Sequence, residues 1–298
     1  METKQKDECR GQETDEEILS PWRLGWRSFK RDRIGVCGAV MVLSLVAIAL
    51  FGSYLTPYKP LQMIYKDSFQ GPSLAHVMGT DRFGRDQLSR IVVGAETSMV
   101  VSFGVVAIST ILGVIIGLIS GYFGGRTDSI IMRLLDVVFA FPSVLLALAA
   151  VAAFGPSMVN LILIMGLIFS ARFARIVRGS VLSVKEKDFI EAVRSVGAKD
   201  STIMFKFILP NVLSPIIVQA TFNLSTAIMI EAGLSFLGLG TQPPQPSWGQ
   251  MLNEARAYME QAPWLAFFPG IAIVYAVLAF NFFGDGLRDA LDPRLSQR

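Results

Sequence analysis

Glu231 is the one formally charged residue between Val212 and Leu239, and a carboxylate in that setting has few things it can do. At the centre of an apolar span it costs about 2.5–3.5 kcal/mol on insertion scales unless it faces protein or water. Glu231 is therefore expected to turn inward, either lining the path of a translocated solute or bonding a neighbouring backbone. His76 is the sole imidazole; with no second histidine or nearby cysteine it makes a poor metal ligand and is expected to be structural. Arg133 and Asp136 are spaced to pair along a helix face. There is no HExxH zinc pair, no GxSxG nucleophile turn and no GxxxxGKS/T phosphate loop. No catalytic, cofactor-binding or metal-binding residue is expected.

A second informative segment is SVKEKDFIEAVRSVGAKDSTIMFKFILP, from Ser183 to Pro210. Ser183 and Glu186 have capping-box spacing, and Phe189, Ala192, Val193 and Val196 then recur on one helical face. Gly197 suits the left-handed residue that ends a helix, Asp200 is expected to cap the next one, and Pro210 to halt it. The pattern is a polar helical hairpin with a glycine corner, set between apolar segments.

Those segments place the hairpin. Of 298 residues 52% are hydrophobic and only 17% charged, with a mean hydropathy of +0.50, the composition of a chain that lives in a bilayer. Ile34 to Leu55 carries no charge and as a helix would reach roughly 33 Å, enough to cross the hydrocarbon core. Its late start and the lack of a small-residue cleavage site argue against a signal peptide. Further spans are expected at Ser98–Tyr122, Ile131–Ala153, Met158–Phe173, Val212–Leu239 and Trp264–Phe283, giving an all-α, multi-pass bundle of six helices. With both termini cytoplasmic, 21 of the 27 Lys and Arg residues fall on the inner side and 6 on the outer, which selects that orientation and places the hairpin in the cytoplasm. The net charge of +3 reflects this asymmetry and gives no reason to expect nucleic-acid binding.

Residues 1–20 are polar and mixed in charge and are expected to be poorly ordered. The following PWRLGWRSFKRDR has the composition of an interfacial helix against membrane lipid. Cys9 and Cys37 fall on the reducing side, so no disulfide is expected. Gly113, Gly117, Ser120 and Gly121 recur at spacings that let helices approach closely in lipid.

Glu191-Ala192-Val193, then Gly197, then Leu209-Pro210 resembles the Glu-Ala-Ala loop of bacterial ABC importer permeases, with Val193 in place of its final alanine. The segment HVMGTDRFGRDQLSRIVVGAE, from His76 to Glu96, resembles the dipeptide, oligopeptide and nickel import group, specifically the shorter, C-type subunit of each permease pair; Glu96 departs from the arginine common there. AGLSFLGLGTQPPQPSW and NFFGDGLRDALDPRL, which carries Asn281 and Asp292, extend the likeness from about Pro21 to Leu295.

The resemblance implies a type I importer (MetI-like) transmembrane fold with a core at 96–291 containing a cytoplasmic coupling loop at 183–210. It implies an N-terminal tail, interfacial helix, first span and outer segment over 1–95, and a C-terminal tail over 292–298. It further implies a homologous second permease subunit, two ATPase subunits that bind ATP and Mg, and an extracytoplasmic substrate-binding protein. Glu191, Ala192, Val193, Gly197, Leu209 and Pro210 would meet an ATPase, while Glu231 is the candidate for the translocation path. Di- or oligopeptides are the expected cargo, with nickel or another small solute as the alternative within the group. A proton-coupled secondary transporter built around Glu231 is the rival from another class, but it has no use for a capped docking loop.

Overall fold

The computed structural model describes residues 21–291, so the expectations for residues 1–20 with Cys9, and for the tail from Asp292, lie outside the described residues. Helix α1 (Pro21–Arg31) meets α2 (Arg33–Leu55) at Asp32, whose carboxylate accepts from the amides of Ile34 and Gly35 at 3.0 and 2.8 Å and satisfies donors that a helix start leaves unpaired. Phe29 of α1 is buried, while Trp26 stays exposed.

Asp86 opens α3 (Gln87–Phe123) by accepting from the Ser89 amide at 2.9 Å. This helix has 37 residues and is about 55 Å long, so the stretch from Gln87 and the span expected from Ser98 are one continuous rod. It ends at Gly124, where φ is +65°.

The third span departs from the single helix expected over Ile131–Ala153. It consists of α4 (Gly125–Phe139) and α5 (Ser143–Phe154), bent by 82°. Pro142 has no amide to continue the hydrogen-bond ladder and disfavours helical geometry at Phe141; its own ψ of 127° is extended.

Helix α6 (Met158–Lys185) runs twelve residues past the boundary expected at Phe173. Two arginines past that boundary are paired within the chain: Arg175 donates to Asp136 at 2.6 Å and Arg178 to Asp128 at 2.5 Å, both acids on α4. Asp136 thus pairs with Arg175 and not with Arg133. Along α3, Gly113, Gly117 and Gly121 lie against Phe173, Ala174 with Val177, and Val181 of α6; a Cβ on Gly117 would fall 2.6 Å from the Ala174 carbonyl oxygen. The small-residue stripe is what lets these two rods touch along their length.

Three short elements occupy the 183–211 region: α7 (Asp188–Ser195), α8 (Asp200–Thr202) and α9 (Leu209–Asn211). Beyond them, α10 (Leu213–Phe236), α11 (Trp248–Ala255) and α12 (Trp264–Leu291) complete the chain. The Pro-rich stretch before α11 is not helical, as its consecutive prolines require. Trp248 is fully buried and its indole donates to the Ile91 carbonyl at 3.0 Å, fixing α11 to the start of α3. Val101, Ile228, Ala276 and Phe280 fill the centre between α3, α10 and α12.

Among the described residues five helices are long and apolar enough to cross a membrane, and the count is six when the bent pair α4–α5 is taken as one broken span. Among the described residues there is no β-strand. One end of the bundle carries α7–α9, α1 and the C-terminus of α12; the other carries the 56–86 segment and α11.

Candidate functional site

The hairpin end is built differently from the local sequence signals. Ser183 lies inside the last turn of α6 and Glu186 is its C-cap, so the capping box does not form. Helix α6 continues because Val181 and Val184 are drawn into a buried cluster with Ile190, Ile203 and Ile208, and packing overrides the cap. Helix α7 starts after Lys187, with Asp188 and Glu191 in its first turn, where acids favour the helix dipole.

Its C-terminus does follow the expected glycine corner. Gly197 has φ +78°; its amide donates to Arg194 O at 3.0 Å, and the Ala198 amide to Val193 O at 3.3 Å. This is a Schellman ending, with Val193 and Ala198 each packed against the buried cluster beneath it.

Asp200 is not the cap of the second arm. Lys199 occupies that position, and Asp200 accepts from the Tyr122 hydroxyl at 2.5 Å. Lys185 donates to the Tyr122 carbonyl at 2.5 Å, and Arg194 lies 5.9 Å from the Tyr122 ring centre. Three residues of the hairpin region thus converge on the end of α3. Pro210 does not halt the second arm either: a π turn over Ile203–Ile208 precedes it, in which the Leu209 amide donates to Met204 O, and Asn211 Nδ2 donates to Phe207 O at 2.7 Å. The wider turn absorbs the missing proline donor, and the break comes at Val212, where φ is −107° and ψ 5°.

The face of α7 grouped in the sequence is split. Ile190 and Val193 turn inward, whereas Phe189 is 37% exposed and Val196 83% exposed, with Glu191 and Ala192 beside them. Among the described residues, Val196 and part of the Phe189 ring form an apolar patch that faces outward next to the Glu191 carboxylate.

A second feature lies midway along the bundle. The bend at Ala140–Pro142 opens a cleft of about 550 Å³ between the broken span, α6 and α10, lined among others by Phe139, Phe141, Ser143, Arg172, Asn223 and Thr226. Ile230 also faces it, but Glu231 does not. Glu231 is 2% exposed, accepting from Ser98 Oγ at 3.3 Å and Ser235 Oγ at 2.7 Å. Its carboxylate ties α3 to α10.

At the opposite end, Asp81 accepts from Arg85 Nε and from Arg90 Nη1, each at 2.6 Å, and Glu254 accepts from both arginines at 2.9 Å. His76 is buried, with Nδ1 2.9 Å from Asp86 Oδ1 and its ring 4.7 Å from that of Tyr58. No group of three His, Cys, Asp or Glu side chains among the described residues is arranged to hold a metal. The sequence reading missed Glu254, the Tyr122–Asp200 bond and the cleft position of Arg172; the three-residue spacing of Arg172, Arg175 and Arg178 was the available signal. Asn281 of α12 accepts from Ser225 of α10 at 2.8 Å.

A profile described as binding-protein-dependent transport system inner membrane component matches residues 113–297, and one described as the N-terminal TM domain of oligopeptide transport permease C matches residues 20–72. The dipeptide transport system permease protein DppC of Alkalihalophilus pseudofirmus is 45% identical over 277 residues, 93% of this chain and 91% of that protein. The glutathione transport system permease protein GsiD of Pectobacterium atrosepticum is 46% identical over 282 residues, 94% of each chain. The protein of the same name in Salmonella paratyphi A is 48% identical over 281 residues, 94% of this chain and 93% of that one.

Proposed function

The chain belongs to the family of binding-protein-dependent transport system inner membrane components, and from that premise we propose that it takes up di- or oligopeptides across the cytoplasmic membrane using work done by separate ATPase subunits. As a member of that family it is an ABC importer permease with the MetI-like all-α fold and not an enzyme. Its working complex holds a second, homologous permease, two ATPases carrying ATP and Mg, and an extracytoplasmic binding protein. Both termini and the 183–210 loop face the cytoplasm. The importer core spans 96–291, with 1–95 and 292–298 as flanking segments.

The observation that carries this reading is the outward knob of Phe189 and Val196 beside Glu191, held at a fixed angle by the Gly197 corner. A chain with no phosphate loop needs such a surface to receive an engine. Glu191, Ala192 and Val193 form the docking arm, Gly197 the corner, and Leu209-Pro210 the return into α10. When the ATPases close on nucleotide, the hairpin moves with them, and its bonds to Tyr122 pass the displacement to α3 and through the glycine stripe to α6. The cleft between α6, α10 and the bend then changes its opening from one side of the membrane to the other. Glu231 supports this path from behind by fixing the α10 face that carries Asn223, Thr226 and Ile230.

Glutathione is the second reading for the cargo, favoured by the relatives of that name at 46–48% identity. Uptake of radiolabelled dialanine and of radiolabelled glutathione by the complex reconstituted in liposomes, with and without ATP, tests the proposal. ATP-dependent accumulation of dialanine above glutathione is the expected result. Accumulation of either without ATP, driven by a proton gradient, contradicts it.

A further inference from the structure

We propose that Arg172 is the anion-recognising residue of the translocation path and engages a carboxylate of the passing solute. The inference rests on the importer reading above and adds a site to it. Arg172, Arg175 and Arg178 step along α6 three residues at a time, so they share one face of the helix. Helix α4 runs beside that face with two acids, and the pairs are Arg178 with Asp128 and Arg175 with Asp136. At the level of Arg172 the series stops, because α4 ends at Phe139 and the chain turns away by 82°. No Asp or Glu of the described residues pairs with Arg172; it is exposed and lines the 550 Å³ cleft that the turn creates.

Arg172 is also the fifteenth residue of the 28 in α6, near the middle of a spanning helix. An unpaired guanidinium in a helix of this kind, directly after the uncharged run from Met158 to Ala171, is costly unless it meets water or an anion. Its planar fork suits a carboxylate in a bidentate pair, of which an ammonium would keep the charge attraction but not the two-point geometry. The rest of the cleft fits a short peptide: Asn223 and Thr226 on the α10 wall offer neutral hydrogen-bonding groups, and Phe139 and Phe141 offer apolar surface. The volume lies within the range of small-molecule sites, roughly 300–1,000 Å³.

The test compares Arg172→Gln and Arg172→Lys with the unmutated chain in the complete complex, in liposomes of phosphatidylcholine alone and in liposomes with added phosphatidylglycerol. Arg172→Gln is expected to assemble normally, judged by co-purification of all subunits, and to take up labelled dialanine about tenfold more slowly, the loss of one charge-assisted pair. Arg172→Lys, which keeps the charge, is expected to recover part of that rate in both lipids. Unmutated complex that takes up dialanine, with Arg172→Gln doing so at the same rate, overturns this inference alone. Equal loss in Arg172→Gln and Arg172→Lys would mark a packing role and overturn it too, as would a defect confined to phosphatidylglycerol, which assigns Arg172 to lipid headgroups. Unmutated complex that assembles yet takes up no peptide overturns the functional reading and this inference with it.

Discussion

Replacing Asp81 by alanine is expected to destabilise the protein by about 3–5 kcal/mol, the cost of removing one partner from a buried ionic network. Asp81 is 4% exposed, and its oxygens accept from the Phe83 and Arg85 amides at 2.8 and 2.9 Å as well as from two guanidinium groups. Without it, two nearly buried arginines share only Glu254, and the turn containing Gly84 loses its acceptors. The 56–86 segment should detach from α11, lowering the melting midpoint in detergent by about 10 °C at roughly 2–4 °C per kcal/mol. Asp81→Asn, which can still accept from the two amides, should fall between the alanine variant and the unmutated chain. An Asp81→Ala protein that melts with the unmutated one would show that the network contributes no net stability.

Gly197→Val is expected to leave the bundle inserted and folded while reducing uptake at least tenfold. A Cβ at Gly197 meets nothing within 4 Å, so space is not the constraint; the φ of +78° is. Holding a β-branched residue there costs about 1–3 kcal/mol, and relief comes from unwinding the Schellman ending, which re-aims Phe189 and Val196. ATP hydrolysis by the assembled complex should then lose its stimulation by loaded binding protein. Gly197→Asn, which tolerates the left-handed region better, should retain more uptake than the valine variant. Normal stimulated hydrolysis and normal uptake by Gly197→Val would remove the corner from the mechanism.

These two sites differ in how far the sequence discloses them. Gly197 and the stripe Gly113, Gly117, Gly121 are legible because the constraint acts on the residue itself: a left-handed φ in one case, absence of a side chain at a helix crossing in the others. Long apolar runs disclose the spans for the same reason. The capping box at Ser183 and Glu186 misleads because a four-residue signal competes with the burial of Val181 and Val184, and burying two valines stabilises the helix more than one cap does.

The end of α6 misleads because Arg172 and its neighbours resemble the charges that flank a span, whereas two of the three are neutralised by acids 39 and 50 residues away in sequence. The bend at Ala140–Pro142 did carry a local signal, the proline, which the apolar run on either side obscured. Glu254 lies 164 residues from Arg90, and no local pattern connects them.

We propose that the outward elbow at residues 189–197 lies on the cytoplasmic side and receives the work of separate ATPases. The most direct test is the accessibility of Val196→Cys in a background where the two native cysteines, Cys9 and Cys37, are replaced. A membrane-impermeant maleimide should leave Val196→Cys unmodified in intact spheroplasts, modify it in inverted vesicles stripped of ATPase, and fail again once the ATPase subunits are added back. Modification in intact spheroplasts, or full modification with the ATPases bound, would contradict the account.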